Sequence, residues 1–232
     1  MIPLRDEIPS RRPPYVVWAL IVANALVFLL ELSLPPEELE AFFKLFGIVP
    51  ARFTHPEWAQ VLGFPADNWW PFLTSLFIHG GWFHIIGNMW FLWIFGPAVE
   101  ARLGGARYLL VYLFAGVGAA LTQAVFLPAS TVPMVGASGA ISGVAGAYFL
   151  LFPTAWILAL IWPFPPLFAW FPAAFFLGYW VLIQVLYGVL GVPGVAWWAH
   201  VGGFAVGYGL TQVLKPKRHY HDDPFWYREY GF

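Results

Sequence analysis

The chain has 232 residues, of which 60% are hydrophobic and only 10% charged, and its mean hydropathy is +0.71. Charged residues make up about 25% of a typical soluble domain, so this composition indicates a protein whose solvent is lipid. The formal net charge of -1 gives no electrostatic support for nucleic-acid binding, which needs a clustered basic face. The chain contains no cysteine, which excludes disulfides, a thiolate nucleophile and cysteine metal ligands.

Six apolar runs approach the roughly 20 residues that cross a bilayer. They predict membrane-spanning helices at 15–34, 83–99, 107–127, 136–152, 172–190 and 196–213. A seventh apolar run, 154–172, carries three prolines in its middle, which interrupt backbone hydrogen bonding that lipid cannot replace. We therefore predict an interfacial or re-entrant connection there, within an all-α membrane fold of six helices.

The basic residues predict how these spans are oriented. Six spans place nine of the eleven Lys and Arg residues on one side of the membrane and leave only Lys44 and Arg52 on the other. Because basic residues concentrate on the cytoplasmic side, both termini are predicted to be cytoplasmic and the long 35–82 loop to lie outside. The predicted organisation is a cytoplasmic segment 1–14, one transmembrane domain 15–214 and a cytoplasmic tail 215–232.

Polar side chains inside the apolar runs are candidates for function, because the bilayer interior makes them costly. Asn24, Gln123 and Gln184 occur singly, and for these we expect interhelical hydrogen bonds. Four other polar groups fall within about one to two helical turns of the outer edge of three different spans. These four are His84, Asn88, Ser138 and His200. We therefore expect them to share one layer.

A serine hydroxyl becomes a nucleophile when a base lies within hydrogen-bond reach, and His200 lies at the predicted depth of Ser138. Small residues recur at every fourth position beside both groups. They are Gly139 and Gly143 on one span, and Ala199, Gly203 and Gly207 on the other. Because such residues let helix backbones approach closely, we predict that the serine and the histidine meet.

An acyl-transfer site also needs hydrogen-bond donors aimed at the oxyanion. His84 and Asn88 are four residues apart and project from one helix face. The Ser138 N–H lies in the first turn of its helix, where amide groups have no intrahelical partner. By itself the octapeptide GASGAISG (136–143) is typical of helix packing, and it is the convergence of four polar groups on one layer that favours a serine hydrolase.

Other arrangements fit less well. Glu31 and Glu100 fall at the ends of their predicted spans, so we expect neither a carboxylate pair nor a Ser-His-Asp triad. His79 and His84 are five residues apart and on a helix would point roughly 140° from each other, so we expect no zinc pair. A transporter or channel would need polar groups that continue to the inner face, where these runs are apolar.

Three stretches resemble the motif blocks of the rhomboid intramembrane serine proteases, in the order in which that family has them. They are HGGWFHIIGNMWFLWIFGPAVEARLG (79–104), VGASGAISGVAGAY (135–148) and AWWAHVGGFAVGYG (196–209). The resemblance covers most of the chain, and the combination of three blocks is specific where any single block is only suggestive.

The resemblance implies a six-helix membrane fold with Ser138 as nucleophile, His200 as general base, and His84 and Asn88 as oxyanion-hole residues. It implies cleavage of transmembrane substrate proteins near the outer face, without metal or cofactor, by a multi-pass protein of a prokaryotic plasma membrane. The alternative is a catalytically silent rhomboid-like protein that binds transmembrane clients. Its usual mark is loss of the serine or the histidine, and both are present here.

The resemblance also assigns structural roles. Glu100 and Arg102 match a Glu-x-Arg structural pair of the family, and His79 matches a recurrent position in the outer loop that we interpret as structural support.

The sequence departs from the family at two places. Trp70 and Pro71 stand where rhomboids often have Trp-Arg, and Ser142 stands where some members place a tyrosine that stacks on the catalytic histidine. We expect another aromatic residue, Trp197 or Trp198, to orient the histidine instead.

Overall fold

The computed structural model describes residues 1–9, 12–65, 68–161 and 166–216, so the predicted tail beyond 216 lies outside the described residues. The helices are α1 (Tyr15–Ser33), α2 (Pro36–Phe46), α3 (Pro50–Thr54), α4 (Pro56–Val61), α5 (Pro71–Thr74), α6 (Trp82–Leu103), α7 (Gly105–Phe126), α8 (Ser138–Leu151), α9 (Ala173–Val189) and α10 (Trp197–Leu214). The strands are β1 (Ile2–Asp6), β2 (Trp156–Ile161) and β3 (Leu167–Pro172). The fold is mostly helical.

Each of the six apolar runs predicted to span the membrane coincides with one helix of the structure, and the largest boundary difference is at the end of α6, which continues to Leu103. By length and composition, α1, α6 and α7 are long and apolar enough to cross a membrane. Helices α8 and α9 are apolar but shorter, with 14 and 17 residues.

The expectation of an all-α fold is wrong in one region. Strands β1, β2 and β3 form an antiparallel sheet in that order, and the proline-containing connection consists largely of the β2–β3 hairpin. Ile157 and Ala159, two residues apart on β2, lie on the same face of the strand and are fully buried in the core of the helical bundle. A strand satisfies backbone groups by pairing, so the paired groups of Trp156–Ile161 and Leu167–Pro172 need no water as a hydrogen-bond partner. Pro163 and Pro165 lie outside the described residues.

The N-terminal strand joins this sheet to α6 and α8. The indole Nε1–H of Trp90 on α6 donates to the carbonyl oxygen of Pro3 at 2.7 Å. The hydroxyl of Tyr148 on α8 donates to the carboxylate of Asp6 at 3.0 Å. Burial raises the pKa of Asp6 to about 6. The segment that precedes α1 is therefore part of the packed fold.

Helices α8 and α10 are in backbone contact through their glycines. A Cβ added to Gly203 would meet the carbonyl oxygen of Gly139, and one added to Gly207 would meet the carbonyl oxygen of Gly143. No larger side chain fits at these positions without moving one helix away from the other. The glycine spacing noted in the sequence thus brings the first turns of α8 and α10 side by side.

Glu100, near the end of α6, holds the first turn of α1. Its Oε1 accepts the backbone N–H of Val16 at 3.0 Å, and its Oε2 accepts that of Val17 at 2.9 Å. The first amide groups of a helix have no intrahelical acceptor, and a carboxylate there also complements the helix dipole. The predicted pairing of Glu100 with Arg102 stays a prediction.

Candidate active site

Ser138 is the first residue of α8, and a glycine two residues earlier sets its position. Gly136 has a φ of +120°, a conformation that L side chains rarely adopt. The Gly136 N–H donates to the carbonyl oxygen of Ser75 at 2.9 Å, which fixes the loop against the turn that precedes α6. The chain then enters α8 with the hydroxyl of Ser138 facing α10.

The hydroxyl of Ser138 lies against an imidazole. Its Oγ is 2.8 Å from Nε2 of His200, which is the fourth residue of α10 and is buried. The two residues are 62 positions apart in sequence, and the close contact of α8 with α10 brings them together. Ser142, one turn further along α8, donates instead to the carbonyl oxygen of Ser138 at 2.7 Å.

The second nitrogen of the imidazole is also hydrogen-bonded. Nδ1 of His200 lies 2.7 Å from Oε1 of Gln184 on α9. The sequence predicts an interhelical hydrogen bond for Gln184 but gives no indication that its partner is the histidine of the site. The same expectation is confirmed for Gln123, which accepts the Ala199 N–H of α10 at 3.1 Å. Asn24 donates to the carbonyl oxygen of Leu20 within α1 and its side chain also lies at the Tyr112 hydroxyl of α7, so for Asn24 the interhelical bond stays a prediction.

The aromatic residue that stacks on His200 is Trp180 of α9. The ring centroids are 5.8 Å apart and the planes are inclined by 30°. Of the two expected candidates, Trp197 meets the imidazole edge-on at 6.4 Å and 88°, whereas Trp198 stacks on Phe126. The expectation that Trp197 or Trp198 orients the histidine holds in part, because Trp197 contacts the ring, but the residue that stacks on it belongs to α9.

His84 and Asn88, on the first two turns of α6, flank the loop that carries the serine. A Cβ added to Gly136 would meet Nε2 of His84 and would lie 3.5 Å from Nδ2 of Asn88. Glycine at 136 therefore lets both side chains approach the backbone two residues before Ser138. The four polar residues predicted to share a layer do lie in one region of the structure.

The hydrogen bonds of these two side chains indicate where their free donors are. The Gly80 N–H donates to Nδ1 of His84 at 3.3 Å, so a neutral ring carries its proton on Nε2, the nitrogen next to Gly136. Nδ2 of Asn88 is buried and has no hydrogen-bond partner among the described residues. Two N–H donors thus lie next to Gly136, two residues before Ser138.

His79 lies in the loop before α6, so the helical spacing used to separate it from His84 does not apply. The two rings are in edge-to-face contact with centroids 5.1 Å apart. Burial, and then the nearby His84, lowers the pKa of His79 to about 4, so its ring is neutral at neutral pH. Within the described residues, no group of three or more His, Asp or Glu side chains could hold a metal ion.

A carboxylate lies closer to this region than the sequence predicts. Glu31, near the end of α1, is 2% exposed and accepts the backbone N–H of His79 with both oxygens, at 3.0 and 3.2 Å. Its partner is the loop that carries His79, and the nitrogen Nδ1 of His200 is bonded to Gln184 instead. Glu31 therefore supports the loop before α6 and is not a third member of the serine–histidine pair.

A small cavity adjoins the serine. It has a volume of about 20 Å³, and its lining includes Ser75, Gly136, Ser138 and Ala199. A single water molecule needs roughly 10–15 Å³ and polar partners, both of which this cavity provides. There is therefore room for one water molecule beside the nucleophile candidate.

The part of the chain that carries the serine, the histidine and the flanking donors is similar in sequence to known proteins. The rhomboid domain family model matches residues 66–217, well over half of the chain. The chain belongs to the rhomboid family. All of the residues that form the serine–histidine region lie within the matched rhomboid domain.

Individual rhomboid proteins extend this similarity. The chain is 31% identical to the chloroplastic rhomboid-like protein 11 of Arabidopsis thaliana over 205 residues, which is 83% of this chain and 66% of the relative. It is 39% identical to the putative rhomboid protease YdcA of Bacillus subtilis over 90 residues, 39% of this chain and 45% of the relative. It is 44% identical to the rhomboid protease GluP of the same bacterium over 80 residues, 34% of this chain and 15% of the relative.

This rhomboid chain thus spans less than two thirds of the length of each of these relatives. The relatives include plant organellar proteins as well as bacterial ones, among them a mitochondrial rhomboid-like protein of Arabidopsis thaliana. The similarity therefore supports a membrane-embedded rhomboid domain and does not support the expected assignment to a prokaryotic plasma membrane.

Proposed function

We propose that the chain is a serine endopeptidase that cleaves transmembrane segments of membrane proteins. The observation that carries the proposal is the 2.8 Å contact between the Ser138 hydroxyl and Nε2 of His200 on two adjacent helices. A hydroxyl with an imidazole base at this distance is the arrangement that generates an alkoxide nucleophile. The names of the bacterial relatives, which include proteases, agree with this chemistry.

The proposal includes a membrane arrangement with six crossings, by α1 and by α6 to α10. With six crossings, α6, α8 and α10 run in the same direction, and His84, Ser138 and His200 all fall in the first turns of these helices. The site then lies near the outer face, both termini are cytoplasmic, and residues 15–214 form one transmembrane domain. Substrates are transmembrane proteins, and no metal or cofactor takes part.

Acylation uses the pair directly. The Oγ of Ser138 attacks the carbonyl carbon of the scissile peptide bond while Nε2 of His200 takes the hydroxyl proton. The carbonyl oxygen becomes an oxyanion, which accepts hydrogen bonds from Nε2 of His84, Nδ2 of Asn88 and the first-turn amide of Ser138. The imidazolium then gives its proton to the leaving amine as the C–N bond breaks, which leaves an ester on Ser138.

Deacylation needs one water molecule, which the cavity beside Ser138 is large enough to supply. His200 takes a proton from this water, whose oxygen attacks the ester carbonyl, and the same donors hold the second oxyanion. The proton returns to the Ser138 oxygen as the acid product leaves. Proton transfers balance within the pair, so the cycle needs no further group.

The proposal is tested with purified protein reconstituted in lipid vesicles with a single-span substrate protein. We expect the wild type to cut the substrate, and Ser138→Ala and His200→Ala to leave it intact while keeping the wild-type melting temperature. Full cleavage by Ser138→Ala would overturn the proposal. A folded wild type that binds transmembrane substrates but cuts none of a varied set would instead establish the catalytically silent alternative.

A further inference from the structure

We infer that Gln184 is a positioning residue for His200, an inference that rests on the proposed proteolysis by Ser138 and His200. Two hydrogen bonds connect α8, α10 and α9 in series, and a third, within α9, continues the series to a backbone carbonyl. Ser138 Oγ lies 2.8 Å from His200 Nε2, His200 Nδ1 lies 2.7 Å from Gln184 Oε1, and Gln184 Nε2 lies 3.3 Å from the carbonyl oxygen of Trp180. The bond to the Trp180 carbonyl determines which atom is the donor in each of the other two.

The orientation of the Gln184 amide follows from its second partner. A backbone carbonyl oxygen only accepts hydrogen bonds, so the amide atom next to the Trp180 carbonyl is the nitrogen, which donates. The amide oxygen therefore faces His200. The hydrogen-bond network resolves which end of the amide is which, an assignment that the shape of a glutamine side chain alone does not give.

The amide orientation in turn selects the tautomer of the imidazole. Because Gln184 Oε1 only accepts, Nδ1 of His200 carries the proton, and in the neutral ring Nε2 is left with its lone pair directed at Ser138. This is the tautomer that a general base requires. When Nε2 receives the serine proton, the partial negative charge of the amide oxygen also stabilises the imidazolium.

In serine–histidine–aspartate enzymes a buried carboxylate performs these two tasks. In this chain a neutral amide occupies that position, and the carboxylate of Glu31 is bonded to the backbone of His79 instead. Gln184 is 4% exposed, so bulk water does not compete for Nδ1. Trp180, one turn before Gln184 on α9, stacks on the imidazole, so a single helix holds both the ring face and the ring nitrogen.

Two substitutions of similar length separate positioning from packing. Gln184→Met keeps the unbranched side chain but removes the acceptor, and we expect kcat to fall roughly 10- to 100-fold with KM unchanged, since one buried hydrogen bond is lost. Gln184→Glu keeps an oxygen acceptor for Nδ1 of His200 but loses the donor to the Trp180 carbonyl oxygen, so at its own optimal pH we expect a kcat between that of Gln184→Met and that of the wild type. Its acidic limb should move to higher pH, because a carboxylate holds a proton on the imidazole more firmly than an amide does.

The matched control is Asn24→Leu, which removes another buried amide, on α1, whose side-chain donor bonds to Leu20 of its own helix. We expect its kcat and pH profile to match the wild type. The measurements are initial rates of substrate cleavage between pH 5 and pH 9, together with melting temperatures, for the four proteins. Rescue by glutamate but not by methionine, with a shifted acidic limb, is the signature that a purely structural role would not produce.

Wild-type kcat in folded Gln184→Met, or a Gln184→Glu variant with an unshifted pH profile, would overturn the inference. If Gln184→Met does not fold, the pH profile of Gln184→Glu decides alone. Failure of the proteolysis proposal is recognised separately, because in that case Ser138→Ala cleaves like the wild type. An inactive Ser138→Ala beside a fully active Gln184→Met would remove only the role of Gln184.

Discussion

The two sides of the proposed active site, the base side and the oxyanion side, differ in how many of their hydrogen bonds are already formed. On the base side, Ser138, His200 and Gln184 form an unbroken series that ends on a backbone carbonyl. On the oxyanion side, Nδ2 of Asn88 is buried without a partner in the described part of the chain, and Nε2 of His84 faces the backbone at a glycine. The base side is assembled in the resting protein, whereas the oxyanion side holds free donors.

This difference assigns separate tasks to the two sides. A buried donor without a partner costs about 1–3 kcal/mol, a cost that the fold carries in the resting state. If the donor is satisfied only by a developing oxyanion, its hydrogen bond stabilises the transition state and not the bound substrate. We therefore expect loss of the base side to abolish turnover, and loss of an oxyanion donor to lower kcat while KM stays the same.

The largest expected effect is at the base side. Ser138→Ala and His200→Ala should each reduce kcat by about 10⁴-fold or more, and the double variant should be no worse than either single variant, because the two residues act as one unit. The measurement is cleavage of a reconstituted substrate by each of the three variants. If the loss of kcat in the double variant equals the product of the two single losses, the two residues act independently.

The next effect is at the oxyanion side. Asn88→Ala should lower kcat by roughly 10²- to 10³-fold with little change in KM, as loss of one oxyanion donor does in other acyl-transfer enzymes. The comparison is with Asn24→Ala, which shortens a buried asparagine on α1, a helix that carries none of the proposed catalytic residues. A rise in KM at unchanged kcat would mean that Asn88 binds the substrate in its ground state, and the contrast between the two sides would then fail.

A smaller effect tests whether close helix packing aligns the two sides. A Cβ on Gly203 would meet the carbonyl oxygen of Gly139, so Gly203→Ala should push α10 from α8. We expect a loss of activity of about 10²-fold, since a displacement of roughly 1 Å is enough for that. Gly209→Ala, on the same helix, has open space at its Cβ position among the described residues and should cleave like the wild type. Equal activity of the two variants would contradict the role of close packing.

The smallest effect lies at the sheet, away from both sides of the site. Burial raises the pKa of Asp6 from 3.8 to about 6, so the ionised carboxylate is disfavoured in the folded protein. The resulting loss of folding stability is fully present above about pH 6 and absent below about pH 4. Asp6→Asn should therefore raise the melting temperature at pH 8 by ~2–4 °C, the shift that ~1 kcal/mol produces, and leave it unchanged at pH 4. Activity at pH 8 should not change. A melting-temperature gain that is larger at pH 4 than at pH 8 would contradict a raised pKa of Asp6.

Much of this site could be predicted from the sequence because polar residues in apolar runs are few. His84, Asn88, Ser138 and His200 stood out by their depth alone, and the glycine spacing indicated which helices touch. The roles of Gln184 and Trp180 could not be predicted, because α9 is apolar on all sides apart from Gln184 and has no hydrophobic periodicity that shows which face meets its neighbours.

Two features of the fold were missed for a related reason. The segment 154–172 is apolar throughout, so its alternation of buried and exposed residues along β2 is not visible as a polar–apolar pattern. Glu31 was placed at the end of a span, but its contact with His79 depends on how the loop before α6 folds back onto α1. Both errors concern long-range contacts, which composition and spacing do not determine.

The measurement that tests the central claim most directly is mass spectrometry of the protein after reaction with a fluorophosphonate probe. The Ser138–His200 pair predicts a single adduct on Ser138 in the wild type, none on Ser138→Ala, and much slower labelling of His200→Ala. An adduct on another residue, or equal labelling of all three proteins, would contradict the claim that these two side chains form the catalytic pair.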